Sequence, residues 1–287
     1  MKHKLKIIII LMTMFIIAQF VGLHVINYYA IPIHQLPLGM GQQQTSLTCD
    51  INSVSDFFSC TSYLSSIIFA FIIAITVFLF LTKIKAEFII RYWFFFVVSI
   101  SLLIALQTII PAMKYLFLVS SVLALGLAFV KVFRRNIIVH NATELLVYPG
   151  VATVFVPVLN IYSIIVLLVL ISAYDMWAVW HSGIMQKMAK YQINKVKVFS
   201  GFFVPYVSKK VRLQLQKMNK SQLKKAKNIK VNVAILGGGD VVFPIITAGV
   251  VMLTYGIIYS LYVIGGAALG LLYLFIYSEK KKFYPAM

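Results

Sequence analysis

Residues 231–253 read VNVAILGGGDVVFPIITAGVVML. The stretch is long and apolar enough to cross a bilayer as a helix, which needs about 20 such residues. Yet it carries a carboxylic acid, Asp240, directly after the glycines Gly237, Gly238 and Gly239. On insertion scales a charged side chain at the bilayer centre costs roughly 2.5–3.5 kcal/mol, so such a residue usually marks a function. One such segment sets the fold class: a helical protein of the membrane with a polar site inside it.

The rest of the chain agrees. It is 61% hydrophobic with a mean hydropathy of +0.94, outside the range of soluble globular domains. Apolar runs place spans near 7–26, 63–82, 90–110, 115–133, 144–157, 159–181, 231–253 and 255–277. The expectation is an all-α polytopic membrane protein of about eight to nine transmembrane helices, forming one transmembrane domain over 1–287. Within it, 1–134 supplies four helices and an external loop at 27–61, and 135–181 supplies two more. Then come a basic loop at 182–230 and, over 231–287, two helices and the start of another. Pro149 and Pro157 interrupt the 144–157 span, which is tolerated where neighbouring helices re-satisfy the freed backbone groups. The first span is not expected to be a cleaved signal peptide, because its apolar run is long and no small-x-small site follows it.

The net charge of +19 does not require nucleic acid as a partner. With the N-terminus in the cytoplasm, 25 of the 26 Lys and Arg residues fall on the cytoplasmic side and only Lys114 lies opposite. That is the positive-inside pattern. Thirteen of them lie in 187–230, which contains no acid and reads as a basic loop attracted to anionic headgroups. Within it, residues 198–205 are apolar and are expected at the membrane interface. Cys49 and Cys60, the two cysteines, share the external loop, where a disulfide and two free thiols are both open.

A second acid, Asp175, sits in the 159–181 span after Tyr174. The chain has seven acidic residues in all, so two on consecutive hydrophobic spans point to a pair. Counting helical rise, Asp175 lies roughly 9 Å and Asp240 roughly 14 Å from the same surface. Like charges close together in low dielectric cannot both ionise easily, so the pair shares a proton. The ionised member can then activate water while the protonated one donates to a carbonyl, as in aspartic proteases. The three glycines leave backbone exposed and helix geometry loose, and they permit an irregular turn lining a water-filled cavity.

Other motifs read as structural. Asn141 followed by Glu144 fits a capping box opening the fifth helix, with Glu144 a cap at the interface. Gly266-x-x-x-Gly270 permits close helix packing. His3, His24, His34, His140 and His181 show no metal-ligand spacing, no Ser/His pairing stands on adjacent spans, and no cofactor is implied.

Taken together, these motifs resemble the presenilin and signal peptide peptidase family of aspartyl intramembrane proteases, most closely its archaeal presenilin-like members. Tyr174-Asp175 is similar to that family's Tyr-Asp motif. Gly237-Gly238-Gly239-Asp240 matches its Gly-x-Gly-Asp motif, and Pro285-Ala286-Met287 approximates its Pro-Ala-Leu motif. Residues 141–144 and 155–160 resemble its fifth-to-sixth helix region. The resemblance implies Asp175 and Asp240 as the catalytic dyad, and a substrate cleft shaped by Tyr174, Gly237, Gly238, Gly239, Pro285, Ala286 and Met287. It implies transmembrane-helix proteins as substrates, with their N-termini outside; self-association is left open. Two departures stand out: Met287 replaces Leu, and the ninth helix of the family would lie beyond residue 287. Either this sequence is incomplete there or one wall of the cleft is missing.

Three other readings compete. A prepilin-type peptidase shares Gly-x-Gly-Asp but lacks the Tyr-Asp and Pro-Ala elements. A proton-coupled transporter could use the acids as a relay, but the repeat symmetry of such folds is not evident. A helix-binding scaffold without turnover is the third.

Overall fold

A computed structural model describes residues 5–35, 69, 73, 76, 77, 80, 87–111, 113–134, 136–177, 200–206 and 232–277. Among the described residues, seven helices have both ends placed: α1 (Leu5–Gln35), α2 (Glu87–Ile109), α3 (Leu116–Phe133), α4 (Ile137–Phe155), α5 (Ile161–Trp177), α6 (Gly239–Tyr255) and α7 (Ile257–Tyr277). A short 3-10 turn, Val156–Val158, joins α4 to α5, and two strands, β1 (Gly201–Tyr206) and β2 (Asn232–Gly237), precede α6.

Among the described residues, five helical stretches are long and apolar enough to cross a membrane: Lys6–Ala30, Phe88–Ile109, Leu116–Phe133, Ile137–Val158 and Ile257–Tyr277. α5 and α6 are shorter apolar helices. The outer surface carries Phe88, Trp93, Phe117, Ile138 and Tyr262, all exposed, the reverse of a water-facing surface. The chain is a mostly helical, multi-pass membrane protein. The 63–82 span falls largely outside the described residues, as do Cys49, Cys60, Pro285, Ala286, Met287 and most of the 182–230 loop.

One expectation needs correction. The 231–253 stretch is not one helix: residues 232–237 form a strand and the helix begins at Gly239. The apolar 198–205 segment contributes a strand of its own: Gly201–Tyr206 pairs antiparallel with β2, Gly201 opposite Gly237 and Phe203 opposite Ile235. The fold therefore adds a two-stranded ribbon to its helices. One face of this ribbon, Phe202, Val204, Ala234 and Leu236, is buried in the main hydrophobic core with Phe15, Tyr148 and Ile245. Val233 and Ile235 on the other face are exposed, the alternation that a half-buried strand requires.

α4 occupies the centre, packing on α1, α2, α3, α6 and β1. Gly150 makes this possible against α2: a Cβ there would lie 2.0 Å from the Ser101 carbonyl oxygen. Gln19 of α1 donates to the Val241 carbonyl at 3.1 Å, tying α1 to the start of α6. The Gly266-x-x-x-Gly270 motif is a different matter. A Cβ at either position meets nothing within 4 Å, so no close helix contact forms there among the described residues.

Gly150→Ala should therefore destabilise the bundle by about 1–3 kcal/mol through overpacking. Gly126→Ala is the control: nothing lies within 4 Å of a Cβ at that α3 position. It should be neutral or stabilising by up to roughly 1 kcal/mol through helix propensity. Thermal unfolding in detergent separates the two outcomes.

Candidate active site

β2 runs straight into the glycine turn, and the turn into Asp240. Gly238 takes the N-cap position of α6 with φ −64° and ψ −34°, and Asp240 stands in the first helical turn. These are ordinary helical angles. Among the described residues the one positive-φ glycine is Gly256, so the triplet is not needed for left-handed backbone. Two of its members sit where a side chain would be crowded. A Cβ on Gly237 would lie 3.1 Å from Asp240 Oδ2, and one on Gly238 would lie 2.8 Å from Ser200 Oγ and 3.2 Å from the Tyr148 ring.

Asp240 is partly buried. The backbone N–H of Gly237 lies within hydrogen-bonding reach of its carboxyl, and the Asp175 carboxyl is near enough to act on it electrostatically. Asp175 is itself partly buried near the end of α5. The fold thus brings the two sequence-marked acids into one neighbourhood. Tyr174, beside Asp175, is partly buried, its ring 6.3 Å from that of Trp177 on the same helix.

Asp240 also forms part of the wall of an apolar groove of about 710 Å³ between α5, α6 and α7. Ser172 and Met176 of α5, Phe243 and Thr247 of α6, and Ala267 and Gly270 of α7 line it further. The groove is within the range of sizes of small-molecule pockets, but its long apolar walls also suit aliphatic side chains or acyl chains.

Behind the glycine turn lies a polar cluster that the sequence reading assigned otherwise. The N-cap of α4 is Asn136, whose side chain accepts from the Ile138 N–H at 3.0 Å. Asn141 and Glu144 are therefore not a capping box; they lie inside the helix. Glu144 is fully buried and pairs with the equally buried Lys131 of α3 at 2.9 Å. The positive-inside pattern counts Lys131 among the basic residues of the cytoplasmic side, and the structure buries its side chain. His140 Nε2 stands 3.5 Å from the same Glu144 oxygen. The Tyr148 hydroxyl lies against Ser200 and Glu144, without a well-aligned hydrogen bond to either. The partners Lys131 and Glu144 are distant in sequence and on different helices, so no local spacing signals the pair.

Removing one member of a buried ion pair leaves the other charge uncompensated, at a typical cost of about 3–5 kcal/mol. Lys131→Met should therefore destabilise the protein more than the double variant Lys131→Met/Glu144→Gln, in which the charge is also gone. Equal unfolding midpoints for the single and double variants would contradict the pairing.

No curated protein matches the chain. The family described as signal-peptide peptidase, presenilin aspartyl protease matches it over residues 12–285. That span contains both acids, the glycine turn and every described helix except the first turns of α1. On this match, with two acids gathered in a helical membrane bundle, the chain belongs to the signal-peptide peptidase and presenilin family of aspartyl proteases.

Proposed function

We propose that this protein is an intramembrane aspartic endopeptidase in which Asp175 and Asp240 form the catalytic dyad. The observation that carries this reading is the position of Asp240. It follows β2 and the glycine turn directly, and the Asp175 carboxyl stands within electrostatic range.

A peptide bond inside a transmembrane helix is shielded, because its carbonyl is engaged in the helix ladder. Cleavage requires local unwinding, and in an apolar setting the freed N–H and C=O groups need new partners. An exposed strand edge supplies them, so an extended substrate segment adds to the ribbon by β-augmentation. The ribbon ends at Gly237, and the absence of side chains through Gly239 lets the substrate backbone approach Asp240.

The chemistry then follows from one shared proton. The ionised carboxylate takes a proton from water as its oxygen attacks the scissile carbonyl carbon, and the protonated partner donates to the carbonyl oxygen. The tetrahedral intermediate collapses as the aspartate that took the water proton gives it to the amine nitrogen, the C–N bond breaks, and the other aspartate takes a proton from a hydroxyl of the intermediate. The products are a new carboxyl terminus and a new amino terminus, and the dyad again holds one proton.

Tyr174, Pro285, Ala286 and Met287 complete the proposed substrate cleft. Transmembrane-helix proteins are the substrates. We place the N-terminus and the basic part of 182–230, apart from the buried strand β1, in the cytoplasm, because this orientation puts 25 of the 26 basic residues on that side, with the basic segment near anionic headgroups. The whole chain works as one transmembrane domain.

Asp175→Asn and Asp240→Asn keep side-chain shape but cannot exchange the proton. Each should lower cleavage of a transmembrane reporter peptide in proteoliposomes by at least about a thousandfold, as for groups that act as a unit. Unfolding midpoints should stay unchanged. Full activity in either variant would refute the dyad.

A further inference from the structure

β1 has two edges, and β2 covers only one of them. The main-chain groups of Gly201 and Phe203 point the other way, toward α4. There Asn141 Nδ2 donates to the Phe203 carbonyl at 2.8 Å, and Asn141 Oδ1 accepts from the Phe203 N–H at 3.0 Å. A residue of a neighbouring strand would make the same pair of bonds. On the same helix, His140 Nε2 lies 2.9 Å from the Gly201 carbonyl oxygen, and Glu144 Oε1 lies 3.4 Å from the Gly201 nitrogen. The next outward-facing residue, Pro205, has no N–H to satisfy. The side chains of one helix thus close this edge.

The far edge of β2 differs. Gly201 pairs with Gly237 and Phe203 with Ile235, and in an antiparallel ladder residues opposite such outward-pointing groups also point outward. The main-chain groups of Val233 and Ile235 therefore face away from β1. No hydrogen bond to them appears among the described residues, and both side chains are exposed.

We propose that Asn141 is a positioning residue. By standing in for a strand on the β1 edge, it directs an extended substrate to the β2 edge and fixes the register in which that substrate meets Asp240. The proposal rests on the protease reading above. Holding Phe203 and Gly201 in place holds their partners Ile235 and Gly237, and Gly237 adjoins the turn that carries Asp240. A ribbon slip of one residue would turn every side chain to the opposite face. Loss of the Asn141 bonds should therefore move the cut while leaving the chemistry intact.

The test uses the full chain in proteoliposomes with a transmembrane reporter peptide, with kinetics read alongside product masses. Asn141→Ala should raise KM about tenfold, as expected for two lost hydrogen bonds, with little change in kcat. It should also spread the products over neighbouring peptide bonds. Asn141→Gln, which keeps the amide, should restore part of the specificity. Phe203→Pro attacks the same bond from the other side by deleting the N–H that Asn141 accepts, and it should shift products in the same way if Asn141→Ala does not fold. Cleavage at unchanged bonds with unchanged KM in the folded variants would overturn the positioning role. Asp240→Asn runs in parallel: if it still cleaves, the protease reading fails instead, whatever Asn141 does.

Discussion

In an apolar bundle, buried backbone that leaves the helix needs partners for the N–H and C=O groups it frees; the buried β1 edge has them, while the outer β2 edge at Val233 and Ile235 has none among the described residues. This constraint governs the region around Asp240. The chain leaves helical structure at β1 and β2, and the ribbon satisfies one set of groups by cross-strand pairing. A second set is met by Asn141, His140 and Glu144 of α4. The Gly238 N–H, at the end of the ribbon, reaches the Ser200 carbonyl at 3.3 Å. An unpaired buried backbone group is costly in such a place, so these contacts lower the cost of leaving the helix here.

The site inherits its geometry from that network. β2 ends where the glycine turn begins, and the turn is tight because Ser200, Tyr148 and Asp240 crowd the positions where Cβ atoms would stand. Asp240 therefore follows closely on the end of a strand, next to glycine backbone. Asp175 arrives from α5, a separate helix that packs on α6. Apolar packing positions α5, α6 and α7 and leaves a groove with the acid in its wall. Bulk hydrophobicity sets the helices, while a handful of polar contacts set the strand and the acid.

Much of this was legible in the sequence. Long apolar runs gave the helices, because a spanning helix and its hydrophobic length are physically tied. The rarity of acids in those runs singled out Asp175 and Asp240. The ribbon was hidden, and for a clear reason. Residues 233–236 alternate between exposed and buried, but all four are apolar, so no period-two pattern shows and the strand merges into the helical run that follows. Asn141 and Glu144 misled in a different way. Their three-residue spacing imitates a capping box, while the actual cap, Asn136, stands five residues earlier. Lys131 looked like one more basic residue at a helix end, and its burial against Glu144 depends on how α3 meets α4.

The proposed catalysis requires the Asp175 and Asp240 carboxyls to share a proton. Binding of a hydroxyl-bearing transition-state mimic of peptide hydrolysis, measured directly on the purified protein, tests that arrangement, since its hydroxyl needs both carboxyls at once. One mimic should bind per chain, competitively with a transmembrane substrate, and affinity should fall by at least about a hundredfold when either acid becomes its amide. Equal affinity for the unsubstituted protein and for the Asp175 amide variant would mean that Asp240 works alone, and the shared-proton account would be wrong.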